Sequence, residues 1–150
     1  MRIFVLAALV VASCGSITRD RDLDGRNAYN KPGIVFIDPD APLRAAVWAQ
    51  EDYEARYKLD PVRWATIRTN RRERQLMELR SHEIEVQAAA LVYGADPVAY
   101  RQREAQLMRQ GYDGLFSNKT EAEIVGEMEG FTLRARKWVA ENERRIRGQV

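Results

Sequence analysis

The sequence predicts an all-α protein: a small bundle of about four helices, preceded by an apolar leader and an extended tether. Three observations carry this. From Pro42 onward, apolar residues recur at spacings of three and four, as on one face of an α-helix. Asp60-Pro61 and Asp96-Pro97 each place an N-capping acid before a proline suited to the first helical position. Before Pro42 no helical period appears, and Gly15, Gly25, Pro32, Gly33 and Pro39 interrupt a polar stretch.

The chain of 150 residues is 45% hydrophobic and 31% charged, with a formal net charge of +2. That suits one domain with a core and excludes a polybasic tail or an acidic solvating chain. One Cys and one His exclude a disulfide framework and a Cys/His zinc site.

The order begins with Met1-Arg2 and the unbroken apolar run Ile3 to Ala12. As a helix this run covers about 15 Å, half of a hydrocarbon core, so it reads as the apolar region of a signal peptide over residues 1–13. Val11-Ala12-Ser13-Cys14-Gly15 follows directly. This resembles the lipobox of bacterial lipoproteins: an apolar residue, two small residues that let a peptidase approach, then the thiol that accepts a diacylglyceryl group. The resemblance covers residues 1–15 only. It implies a mature chain beginning at Cys14, lipidated with three acyl chains, enough for stable anchoring. With Gly15 and not Asp after the cysteine, it implies the outer membrane, on the periplasmic face.

Residues 14–41 are expected to be the lipidated Cys and a flexible tether, spanning about 30 Å on average. Its apolar run Ile34 to Ile37 is expected to lie extended against the body as a latch, since no partner strand is evident. Asp20-Arg21-Asp22-Leu23-Asp24-Gly25 matches the first half of an EF-hand loop, making Asp20, Asp22 and Asp24 a weak calcium candidate. Lys31 stands where the closing Glu is needed, so no metal or other cofactor is assigned.

Residues 42–150 are the helical domain. The expected helices are 42–58; 61–93, ending at Gly94; 97–110; and 120–147, opened by a Thr120/Glu123 capping box. The first has an apolar stripe of Leu43, Ala46, Val47, Tyr53 and Tyr57, with Trp48 off it. The last has the cleanest stripe, through Ile124, Met128, Phe131, Ala135, Trp138 and Ile146. Within it, Gly126 and Gly130 suggest close approach of another helix. Tyr112 to Phe116 reads as a packed corner.

Arg63–Arg80 and Arg134–Arg147 are basic stretches. The run from Arg68 to Gln75 has no apolar residue, so Arg68, Arg71, Arg72 and Arg74 are the candidate interaction residues. His82 shares a helix face with Glu78 and reads as an exposed polar side chain, with no nucleophile or metal indicated near it. The expectation is therefore a lipid-anchored periplasmic protein acting as a non-enzymatic structural or interaction component of a cell-envelope assembly. It would contact the membrane through Cys14 and dock an envelope protein, with no nucleic acid; oligomeric state stays open. A phage-encoded lysis or virion lipoprotein, a periplasmic enzyme inhibitor or chaperone, and an envelope enzyme using scattered carboxylates are the alternatives.

Overall fold

The structure, a computed structural model, describes residues 16–150. The signal peptide, the lipobox and Cys14 lie outside the described residues. The rest is an α+β fold, not an all-α bundle: six helices and a three-stranded mixed sheet.

The sheet replaces the expected tether. Strands β1 (Ile17–Asp20), β2 (Ala28–Lys31) and β3 (Ile34–Ile37) stand in the order β1-β3-β2. β3 is the central strand, parallel to β1 and antiparallel to β2. Its Val35 and Ile37 are fully buried. Pro32-Gly33 turns β2 directly into β3. The strands are short and mostly one-sided, so their alternation is weak; what orders them is packing on the first helix. Trp48 Nε1 donates to Thr18 Oγ1 (2.8 Å), Arg44 pairs with Asp20, and Ser16 hydrogen-bonds Asp52.

That helix, α1 (Arg44–Tyr57), is buried continuously from Ala45 to Asp52. The sheet covers the face turned away from the helical body, so Trp48, expected off the stripe, is a core residue. Asp60 accepts the Val62 and Arg63 amides and opens α2 (Pro61–Thr69). The expected helix over 61–93 is in fact two. Asn70 leaves helical geometry, accepts the Glu73 amide (3.1 Å) and caps α3 (Arg71–Tyr93). Gly94 ends α3 in a left-handed conformation.

Helix α4 (Pro97–Gln110) starts on Asp96. A 3-10 turn at Tyr112–Gly114 then leads to α5 (Glu121–Glu129), opened by the reciprocal Thr120/Glu123 box. The chain breaks again at Gly130-Phe131 before α6 (Thr132–Arg147), so the expected helix over 120–147 is also two. Among the described residues no other helix packs into the Gly126/Gly130 pair. Among these residues no atom outside its own helix lies within 4 Å of where a Gly126 Cβ would sit, and Gly130 is the break itself.

Helix α3 is the axis of the molecule. One core joins it to the sheet, α1 and α6 through Trp48, Ile84 and Ile146; another joins it to α4 and α5 through Leu79, Met108, Phe116 and Met128. Every residue from Ser81 to Ala89 is buried, polar ones included. Of these, Ser81, His82 and Glu85 turn toward α1 and α4 and form the α3 wall of the site.

Candidate metal centre

The spacing of Glu78, His82 and Glu85 puts three titratable side chains along one stripe of α3. In water that stripe would be an exposed helix face. Here α1, α4 and the Tyr112 turn close over it, and His82 is 5% exposed. Opposite stand Gln50, Glu51 and Glu54 on α1, and Glu104 on α4, a position on the same buried stripe as Arg101, Ala105 and Met108.

His82 Nδ1 lies 2.8 Å from Glu104 Oε2 and 3.8 Å from Glu85 Oε2. Its Nε2 meets the Tyr112 hydroxyl and lies 3.3 Å from Gln50 Nε2. Tyr100 donates to Glu85 (2.7 Å). Glu54 accepts from Asn30 (3.0 Å), Ser81 (2.8 Å) and Lys58 (3.3 Å). Glu51 shares Asn30 with it. Glu78 is buried, yet among the described residues no hydrogen bond or ion pair reaches its carboxylate.

The Tyr112 contact is built on backbone strain. Tyr112 and Asp113 are non-glycine residues at φ 57° and 50°. Such residues cost about 1 kcal/mol each or more and persist where the surroundings hold them. Arg71 does the holding, donating from Nε to Leu115 O (3.0 Å) and from a terminal nitrogen to Gly114 O (3.0 Å).

The electrostatics follow from crowding acids in a dry interior. Burial, then the charge of Glu54, pushes Glu51 and Glu78 each up to about 8. Burial and Glu104 raise Glu85 to about 7. Burial also works against Glu54, but Lys58, Asn30, Ser81 and His82 together bring it below its ordinary value. For His82 burial alone would lower the pKa; the hydrogen bond and charge of Glu104, with Glu85 and Glu78, override it and push it up to about 9. At neutral pH this is an imidazolium near two glutamates, Glu51 and Glu78, that hold protons because burial and the charge of Glu54 disfavour their ionised forms; the site is short of positive charge.

A divalent cation that displaced the His82 proton would relieve that shortage. Among the described residues, His82, Glu85 and Glu104 are the group whose ligand atoms converge, all within 4.8 Å of one another. Ligands at about 2.0–2.2 Å from a metal stand roughly 3 Å apart in neighbouring positions, so small side-chain rotations suffice. One imidazole and two carboxylates suit zinc, iron or manganese. Three protein ligands leave coordination positions open, and a cavity of about 260 Å³, bordered by Gln50, Glu51, Tyr100, Arg103 and Tyr112, adjoins them.

The residues singled out from sequence lie elsewhere. Asp20 pairs with Arg44, and Asp22 accepts the Asp24 amide. Arg71 pins the Tyr112 turn, Arg72 pairs with Glu127 (2.8 Å), Arg68 lies over Trp64, and Arg74 is exposed. His82 is the correction: it is buried and partnered, not an exposed polar residue. Gln50, Glu51, Glu54, Tyr100 and Glu104 are not singled out from sequence, and Tyr112 figures there only as the start of a packed corner. Their signal is acids falling at buried helix positions, such as Glu51 and Glu54 within an alanine-rich run.

No family model, curated protein or solved structure matches this chain. The reading of function therefore rests on the site's own chemistry.

Proposed function

We propose that this is an envelope lipoprotein, fastened to the outer membrane by acylated Cys14, whose folded body holds a divalent transition-metal ion on His82, Glu85 and Glu104. The observation that carries the metal reading is the convergence of those three ligands in a buried site with more carboxylate than cation. The anchor rests on the Val11-to-Gly15 sequence and its apolar leader. No helix among the described residues is long and apolar enough to cross a membrane. In this role the protein is a non-enzymatic component of an envelope assembly, and a partner's side chain completes the metal shell from the cavity.

Titration of the full chain in detergent with zinc and then manganese tests the metal. One equivalent binds, and His82→Gln weakens binding by about tenfold or more, as loss of a metal ligand does. Absence of stoichiometric binding by the wild-type chain overturns the reading. Mass spectrometry of the native N-terminus tests the anchor: it finds a diacylglyceryl thioether on Cys14, and an intact Met1 with a free thiol overturns it.

The open side of the centre favours one second reading, a metal-dependent hydrolase in which His82, Glu85 and Glu104 would hold the ion, the ion would supply Lewis acidity, and Glu51 would serve as general base once metal binding had removed its proton. Zinc-dependent turnover of peptide or ester substrates that Glu51→Gln abolishes would select it over a binding role.

A further inference from the structure

A second cavity, of about 250 Å³, opens where α1, α3 and α6 meet. It shares no lining residue with the metal centre. Its walls are aromatic: Tyr53 and Trp138 meet edge to face with centroids 6.0 Å apart, Phe131 lies across from them, and Ile84 is at the side. Two guanidiniums border this apolar space and no carboxylate does. Arg80 sits 5.0 Å from the Phe131 ring, and Arg134 is exposed on α6. Among the described residues neither forms an ion pair with an acid. Elsewhere in this molecule the buried or half-buried arginines do: Arg101 with Glu83, Arg56 with Asp52, Arg145 with Asp52.

Arg80 carries a sharper mark. Its Nε is buried and has no hydrogen-bond partner among the described residues; Arg56 Nε shares that state, but a terminal nitrogen of Arg56 is held by Asp52 and Asn142. A buried donor left unpaired costs about 1–3 kcal/mol, more when charged, and native proteins seldom leave one without cause. Stacking on Phe131 holds the guanidinium plane in place and the Tyr53 hydroxyl lies within its hydrogen-bonding reach, but neither serves Nε. What the cavity lacks is an anionic acceptor with an apolar body behind it.

We propose that this cavity binds a small amphipathic acid, its ring or short chain seated on Tyr53, Phe131 and Trp138 and its carboxylate or phosphate held by Arg80 and Arg134. The planar fork of arginine matches such oxyanions two bonds at a time. The volume lies just under the usual range for small-molecule sites, about 300–1,000 Å³, so a single ring or short chain fits and a two-chain lipid does not. The assignment stands apart from the metal reading and survives its failure.

The test uses the full chain in detergent, with octanoate as probe, 1-octanol as its uncharged counterpart and phosphatidylglycerol vesicles as the source of lipid headgroups. Calorimetry finds octanoate bound about tenfold more tightly than octanol, the worth of one charge-assisted contact pair. Arg80→Met and Arg134→Met each weaken octanoate by about fivefold or more and leave octanol unchanged. Arg134 is exposed, so its variant folds and keeps the test decisive even if Arg80→Met does not. Equal affinity for octanoate and octanol, octanoate binding indifferent to the folded variants, or no octanoate binding at all overturns the proposal. So does arginine-dependent adsorption to the vesicles without octanoate binding, which would make these residues a headgroup surface.

Discussion

Arg101 grips Glu83 with both ends of its fork, Nε and a terminal nitrogen each 2.8 Å from a different carboxylate oxygen, in a pair from which water is nearly excluded. Thr132 (3.0 Å) and Gln87 (2.8 Å) complete the carboxylate's shell. Breaking such a pair from one side strands a buried charge. Glu83→Ala is expected to destabilise the protein by about 3–5 kcal/mol in chemical denaturation, and Glu83→Ala with Arg101→Met by less than the single change. A double variant no more stable than Glu83→Ala would show that the pair's surroundings, and not the stranded guanidinium, set the cost.

Glu83 and Glu78 sit on the same helix and are treated oppositely: one is saturated with donors, the other has none among the described residues. That contrast makes metal-free stability depend on pH. Glu51 and Glu78 bind protons more tightly folded than unfolded, so their contribution is full below about 4.5 and is lost as pH rises through about 8. His82 has the same sign: its contribution is full below 6.5 and is lost as pH rises through about 9. The Tm of metal-free protein is therefore expected to fall steadily from pH 5 to pH 9, and Glu78→Gln to flatten the slope. Because a bound cation replaces these protons, the stabilisation that zinc adds grows over the same interval. A Tm that rises with pH in the metal-free chain would refute the crowded-acid account.

Much of the helical architecture was readable because its signals are local. Asp60, Asp96, Gly94 and the Thr120/Glu123 box all cap helices where their spacing says they should. The breaks at Asn70 and Gly130 were missed for opposite reasons. Asn70 with Glu73 is itself a cap signal, hidden in a charged run that reads as continuous helix. At Gly130 the apolar stripe runs on across the break, so Ile124, Met128, Ala135 and Ile146 still face inward. The sheet was illegible because β1 meets β3 only through a parallel pairing across an intervening strand, which no local pattern encodes. The site was half legible. Glu78 and His82 share a face by spacing, but whether that face is wet or dry depends on Glu51, Glu104 and Tyr112 arriving from other elements.

Arg71 makes the Tyr112 turn a test of how the site is held. Its hydrogen bonds to Gly114 and Leu115 restrain two non-glycine residues in left-handed geometry, and the Tyr112 hydroxyl depends on that restraint to reach His82. Arg71→Met is expected to cost about 1–3 kcal/mol, the price of uncovering the Leu115 carbonyl and releasing the strain. Amide exchange over residues 111–117 should accelerate while the α5 amides around Ile124 keep their protection. Uniform acceleration through α5 would mean that Arg71 supports the second core as a whole and not the turn.

Two glycines should respond to alanine with opposite signs. Gly33 sits at φ 74°, and a Cβ there would stand 3.0 Å from Leu59 Cδ2, so Gly33→Ala meets both backbone strain and the edge of the hairpin's packing. A loss of about 1 kcal/mol or more is expected. Gly126 is interior to α5 with open space around it, so Gly126→Ala should gain about 0.5–1 kcal/mol by restricting the unfolded chain. The second result bears on assembly. The face of α4 and α5 around Gly126 carries Gln102, Arg103, Gln106 and Glu129 beside a broad surface hollow. If Gly126→Ala stabilises the isolated chain yet weakens its association with an envelope partner, the glycine serves a contact between molecules; a stabilised variant that associates normally leaves the glycine without a packing role.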